Sequence, residues 1–140
     1  MNDRELYQLA ENARKYSYSP YSGFSVGAAL LAADSFGDER IFTGCNVENS
    51  SYGGTICAER TAAVKAVSEG YTNFIAVAVT GGLAEDDGGE PVENTYPCGN
   101  TYPCGICLQF LSEFTGVNMR VIMHDRTVTL ADLLPQSFRL

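Results

Sequence analysis

Three cysteines and one glutamate, confined to two short stretches, constrain this chain more than any other feature. The stretches are Cys57-Ala58-Glu59-Arg60 and Pro103-Cys104-Gly105-Ile106-Cys107. Three thiolates leave one corner of a tetrahedral zinc site unfilled, and an open corner is what separates catalytic zinc from closed structural zinc. Cys104 and Cys107 share one face of a helix, and the Pro-Cys-Gly lead-in places them at a helix start. There the backbone N–H groups and the helix dipole favour the thiolate form that a metal needs. The Cys57 and Glu59 spacing would put the two on different sides of a helix interior. At a helix beginning it becomes useful, because first-turn side chains tilt toward the N-terminal end and both reach a site lying off it. The pattern predicts two helix N-termini converging on one metal, with Glu59 beside a metal-bound water.

The rest of the chain reads as the scaffold for that convergence. Asp3 to about Tyr16 has Leu6, Leu9, Ala10 and Ala13 at helical spacing, with Asp3 available as a cap. From Phe24 to Ala33 the apolar run is almost continuous, as in a strand buried on both faces. The polar segment Asp34 to Arg40 reads as a hairpin turn into a second strand, Ile41 to Val47. A Gly-rich loop, Asn49 to Thr55, delivers the chain to Cys57, and the helix that follows stops at Gly70. Phe74 to Thr80 is a third strand, Cys104 to about Phe114 a helix, and Met119 to Met123 a fourth strand. Thr127 to Leu130 reads as a short fifth strand and Ala131 to Leu134 as a last helical turn. The pattern predicts an α/β sheet covered by helices on both faces.

Between Gly81 and Tyr102 no periodicity survives, which marks a functional or mobile connection. It contains a tandem repeat, Asn94-Thr95-Tyr96-Pro97-Cys98-Gly99 followed by Asn100-Thr101-Tyr102-Pro103-Cys104-Gly105. Only Cys104 has a cysteine three residues further on, so the ligand is assigned to Cys104. The repeat itself reads as a local duplication carried in a surface loop.

With 140 residues, 45% of them hydrophobic, a single domain spanning residues 1–140 is expected, large enough for its own core. Five cysteines is an odd number, and Met1-Asn2-Asp3-Arg4 lacks the basic and apolar regions of a signal peptide, so reduced cytoplasmic thiols are expected. The longest apolar runs are too short to span a bilayer, and no membrane role is expected. A net charge of −8, with nine Lys and Arg against seventeen acids, argues against a groove that grips a polynucleotide.

With the residues around them, the two cysteine stretches resemble the zinc-dependent cytidine deaminases, in particular the small homotetrameric kind that carries Cys-Ala-Glu rather than His-Ala-Glu. Six blocks in order carry the resemblance: Pro20-Tyr21-Ser22-Gly23-Phe24, Val26-Gly27-Ala28-Ala29-Leu30, Gly44-Cys45-Asn46-Val47-Glu48-Asn49, Cys57-Ala58-Glu59-Arg60-Thr61-Ala62, Pro103-Cys104-Gly105-Ile106-Cys107 and Leu133-Leu134-Pro135. It implies a three-layer α/β/α sandwich with a mixed sheet of about five strands. It also implies Zn²⁺ as cofactor and hydrolytic deamination of cytidine and 2′-deoxycytidine to uridine and 2′-deoxyuridine, with release of ammonia, in pyrimidine salvage. A small nucleoside substrate agrees with the acidic charge, and the resemblance further implies a homotetramer with shared active sites.

Residue by residue, the resemblance makes Cys57, Cys104 and Cys107 the metal ligands and Glu59 the group that moves protons from water to the pyrimidine N3 and the leaving ammonia. Asn46 and Glu48 match positions that hold the ribose, and their alternation on a predicted strand projects both to one side. Phe24 matches a position that packs against the base. Ser50 and Tyr52 match positions through which a neighbouring subunit approaches the sugar, and Phe138 matches a C-terminal aromatic that reaches an adjacent site. Arg60 is expected to hydrogen-bond the ligand sulfurs, offsetting the net −1 of three thiolates on Zn²⁺. Leu108 stands where the family commonly has arginine, which leaves that compensation to Arg60. Three other readings stay open: a deaminase of another aminopyrimidine nucleoside such as blasticidin S, a closed structural zinc module with Cys45, Cys98 or His124 as fourth ligand, and a polynucleotide editor.

Overall fold

The apolar run near the N-terminus becomes an interior strand of a five-stranded sheet, paired on both edges. A computed structural model describes residues 1–84, 99–115 and 118–140. In chain order the elements are helix α1 (Asp3–Arg14), strands β1 (Phe24–Ala33) and β2 (Glu39–Cys45), helix α2 (Ala58–Ser68), strand β3 (Asn73–Leu83), helix α3 (Gly105–Ser112), strands β4 (Arg120–Ile122) and β5 (Thr127–Thr129), and the short helix α4 (Leu130–Leu133). The sheet order is β2-β1-β3-β4-β5, with β3 and β4 parallel and every other neighbouring pair antiparallel. Residues 94–98 of the first copy of the duplicated segment, Cys98 included, lie outside the described residues.

Side chains of β1 alternate between two cores, which is why its sequence shows no polar face. On one side Ala29 joins Ala76, Ala78 and Ile122 beneath Leu6 and Ala10 of α1. On the other, Ala28 and Leu30 join Phe42, Val77, Val79 and Val121 beneath Ala62 and Ala66 of α2 and Leu111 of α3. The result is the expected three-layer α/β/α arrangement. Gly70, at φ 90°, ends α2 in the left-handed conformation that the sequence anticipates.

Several boundaries differ from expectation, each for a local reason. Asn2, not Asp3, caps α1, because its side chain accepts from the Glu5 N–H while the Glu5 carboxylate accepts from the Asn2 N–H. That helix ends at Arg14 rather than near Tyr16, since the N–H groups of Lys15, Tyr16 and Ser17 turn to carbonyls three residues back. Strand β2 stops at Cys45 instead of Val47. Beyond it the Asn46 N–H donates to Val26, the Tyr18 N–H donates to Asn46, and Val47 forms single bridges with Tyr18 and Ile56. Strand β3 runs on to Leu83, paired with Phe24.

The register sets the stage for the site. Gly27 of β1 pairs with Cys45 of β2 and with Thr80 of β3, so the start of β1 and the ends of β2 and β3 lie level at one end of the sheet. Ligands of open α/β sheets bind beyond such carboxyl ends. Helix α2 reaches that end because Gly44 lets it sit against β2: a Cβ on Gly44 would lie 2.6 Å from both the Ala58 oxygen and the Ala62 nitrogen. Gly44→Ala is therefore expected to cost about 1–3 kcal/mol in urea unfolding, the usual range for overpacking. Gly53→Ala, which would meet nothing within 4 Å, serves as the control and is expected to stay within about 0.5 kcal/mol.

Candidate active site

Cys57 and Cys104 are the N-cap residues of α2 and α3, each with extended backbone and no capping bond from its side chain. Their sulfurs are thus free to face off the helix ends, where unsatisfied backbone N–H groups favour negative charge. Cys107 lies one turn into α3 and is fully buried. The second copy of the repeat positions α3: the buried Asn100 side chain donates to the Asp125 carboxylate at 2.6 Å and accepts from the Asp125 N–H at 3.0 Å. The bridge between Val47 and Ile56 delivers the chain to Cys57.

The three sulfurs all lie within 4.8 Å of one another. Those of Cys57 and Cys104 are 3.9 Å apart. Tetrahedral zinc with bonds of about 2.3 Å requires sulfurs about 3.8 Å apart, so the donor set fits this metal. Cys45 and His124 do not belong to the cluster. His124 sits on the α1 side of the sheet, with its ring 6.2 Å from that of Tyr7. Among the described residues, the structure offers no fourth protein ligand.

Charge in the cluster is unevenly shared. The hydrogen bond with Cys107 holds the Cys57 thiol down at about 5 against the opposing effect of burial, and Arg60 adds to the lowering. The same bond, together with burial, pushes Cys107 up. Arg60 donates from Nη2 to the Cys57 sulfur at 3.1 Å and to the Thr55 carbonyl at 3.2 Å, while its Nε is buried without a partner in the described chain. Burial works against the Arg60 charge, but hydrogen bonds to Cys57 and Cys107 outweigh it. Leu108 turns into the core beside Leu111, so its position brings no cation to the sulfurs.

Glu59, in the first turn of α2, is only 4% exposed. Burial raises its pKa to about 7, its own backbone N–H pulls the other way, and the charge of Cys57 raises it further. A carboxyl poised near neutrality beside a metal-binding cluster can both take and give a proton.

Asn46 and Glu48 lie past the end of β2, yet they keep the alternation expected of a strand: both are buried, while Val47 between them is exposed. Their polar atoms hold the segment from Ser17 to Val26. Asn46 Oδ1 accepts from the Val26 N–H at 2.8 Å and from the Ser17 hydroxyl at 2.6 Å, and Nδ2 donates to the Phe24 carbonyl at 2.9 Å. Glu48 accepts from Tyr21 and Ser22. These hydroxyl and backbone partners were not singled out from sequence, although Pro20-Tyr21-Ser22-Gly23 carries the turn residues that announce such contacts.

Phe24 is half-buried at the start of β1. Ser50 and Tyr52 are exposed and meet the same loop: the Ser50 hydroxyl lies 2.9 Å from the Tyr21 hydroxyl, and the Tyr52 ring stands edge-on to Tyr21 at 6.2 Å. Phe138 is strapped to α3, where Gln109 Nε2 donates to its carbonyl at 2.9 Å, and its ring is turned outward, 62% exposed. A cavity of about 950 Å³ opens on the α1 face, lined by Tyr7, Glu11, Arg14, Thr80 and His124 among others, and none of the three thiols borders it.

A family profile described as "Cytidine and deoxycytidylate deaminase zinc-binding region" matches residues 1–124. The chain is 42% identical over 143 residues to the cytidine deaminase of Sporosarcina psychrophila, covering 99% of this chain and 92% of that one. It is 43% identical over 130 residues to a probable cytidine deaminase of Dictyostelium discoideum, covering 91% and 77%. Among solved structures, the cytidine deaminase of Burkholderia pseudomallei superposes with a TM-score of 0.79 at 36% identity, covering 99% of this chain and 100% of that one.

The cluster that fits zinc is the three thiols, and Arg60 donates to one of them. Cys57→Ala, Cys104→Ala and Cys107→Ala are each expected to abolish zinc binding in a metal assay of the purified protein, and Cys45→Ala to leave it intact. Arg60→Gln is expected to weaken zinc affinity about 10- to 100-fold in a chelator competition, the usual effect of losing a group that orients and polarises a ligand.

Proposed function

Because the chain belongs to the cytidine and deoxycytidylate deaminase zinc-binding family, we propose that the site where α2 and α3 converge replaces the C4 amine of cytidine with oxygen, yielding uridine and ammonia. The enzyme is a zinc-dependent hydrolase, a cytidine deaminase. One observation carries the assignment of chemistry to residues: a buried carboxyl, Glu59, stands in the first turn of the helix whose cap is one of three thiols spaced for a single metal.

Cys57, Cys104 and Cys107 would hold the zinc, which when bound would supply the Lewis acidity that makes water a nucleophile toward C4. Glu59 accepts a proton from the attacking water and delivers it to N3 of the pyrimidine. It then passes the second proton to the departing amine, which leaves as ammonia, so one water is consumed for each nucleoside. Burial fits Glu59 to this relay by bringing its pKa near neutrality, where taking and giving a proton cost about the same. Arg60 balances part of the thiolate charge and orients Cys57.

In this reading Phe24 packs on the base while Asn46 and Glu48 receive the sugar hydroxyls, and 2′-deoxycytidine is a second substrate. The products feed pyrimidine salvage. Four copies assemble, with Ser50 and Tyr52 at the approach to the sugar and Phe138 completing a neighbouring site. What supports the assembly is exposed apolar surface: Tyr21, Val47, Tyr52 and Ile56 are each more than two-fifths exposed on the segments that surround the site. No helix among the described residues is long and apolar enough to cross a membrane. We place the enzyme in the cytoplasm, where its thiols stay reduced.

Glu59→Gln keeps the size of the side chain and removes its proton transfer. Followed by the loss of cytidine ultraviolet absorbance, it is expected to lower kcat about 100- to 10,000-fold while zinc content stays at the parent level. Full turnover by zinc-replete Glu59→Gln would remove the proposed role.

A further inference from the structure

Ser22 has no part in the chemistry above, yet its hydroxyl is shared between two of the residues assigned to the nucleoside. It donates to Glu48 Oε2 at 2.5 Å and accepts from the Phe24 N–H at 3.0 Å. Because the Phe24 N–H occupies its acceptor side, the Ser22 proton is directed at the carboxylate. The other oxygen, Oε1, accepts from the backbone N–H groups of Tyr21 at 3.0 Å and Ser22 at 3.1 Å. Gly23, at φ 67° and bonded through its N–H to the Ser19 carbonyl, closes the turn that holds these donors in place.

Glu48 is 3% exposed, so little water is at hand to replace a lost donor. A carboxylate offers about four acceptor directions. Tyr21 and Ser22 fill three of them, which leaves about one for a group brought in by a ligand. A hydroxyl-to-carboxylate contact of this length is of the strong, charge-assisted kind, and its loss would free the carboxylate to rotate.

We propose that Ser22 is a specificity-determining positioning residue: it aims the one vacant acceptor direction of Glu48 at a 2′ or 3′ sugar hydroxyl, so that discrimination for nucleosides carrying those hydroxyls depends on it. The proposal rests on the reading that Glu48 receives the sugar. Ser22 itself touches neither metal nor reacting atoms, and its effect belongs in KM rather than kcat.

The test compares cytidine with 2′,3′-dideoxycytidine, which lacks the 2′ and 3′ hydroxyls and keeps the 5′ hydroxyl, using intact zinc-loaded enzyme. Ser22→Ala is expected to lower kcat/KM for cytidine about tenfold, mainly through KM, and to change the dideoxy substrate by less than about twofold. Ser22→Thr keeps the hydroxyl and is expected to return cytidine to within about threefold of the parent. Since both substrates are measured on one preparation, any unfolded fraction cancels in their ratio. Equal losses on the two substrates, or no loss on cytidine, would overturn the proposal. Glu48→Gln on the same pair separates the two ideas. A loss confined to cytidine upholds the role of Glu48 whatever Ser22 does, whereas equal losses remove that role and the proposal with it.

Discussion

Three thiols within 4.8 Å of one another would, as thiolates, gather three negative charges in one place, and like charges that close repel unless a cation is shared among them. Most features around them can be read as a response to that constraint. Two helix caps bring partial positive charge, Arg60 brings a full one, and zinc brings two more. Even so, three thiolates on Zn²⁺ leave a net negative centre; burial is the main reason the neighbouring Glu59 is raised to about 7, and the charge of Cys57 adds to it. The charge of a thiol in the cluster thus adds to what burial does to the carboxyl proposed to move protons. Leu108, buried in the core beside Leu111, adds no cation to the cluster.

The sheet exists in this account to bring two helix starts to one place. Gly44 lets α2 lie against β2, the Asn100 clamp on Asp125 fixes the entry to α3, and the bridge between Val47 and Ile56 sets where Cys57 begins. On the opposite side of the site, Asn46 and Glu48 tie the loop before β1 to the strand end. Asn46, proposed to receive the sugar, therefore also holds the Phe24 carbonyl, which under that proposal would link base and sugar contacts through the protein.

Much of this was legible in the sequence because it is local or periodic. The unbroken apolar run of β1 announces burial on both faces, Gly70 announces the end of α2, and the cysteine spacing announces a metal at helix starts. What remained hidden depends on contacts between distant segments. Nothing in the pattern around Asn46 says that its amide is shared among Ser17, Phe24 and Val26, since each partner lies twenty or more positions away in the sequence. The pairing of Asn100 with Asp125 is of the same kind, and so is the early end of β2, where tertiary bonds to Tyr18 and Val26 outcompete the strand propensity of Val47. The cap of α1 was missed for a smaller reason: Asn2 and Asp3 are both good caps, and only the reciprocal bond with Glu5 decides between them.

The central claim is an open three-thiolate zinc site at the meeting of two helix N-termini. X-ray absorption at the zinc edge of the purified protein tests it most directly. The account predicts three sulfur neighbours at about 2.3 Å and one lighter neighbour at about 2.0 Å. Four sulfurs, or fewer than three, would contradict it.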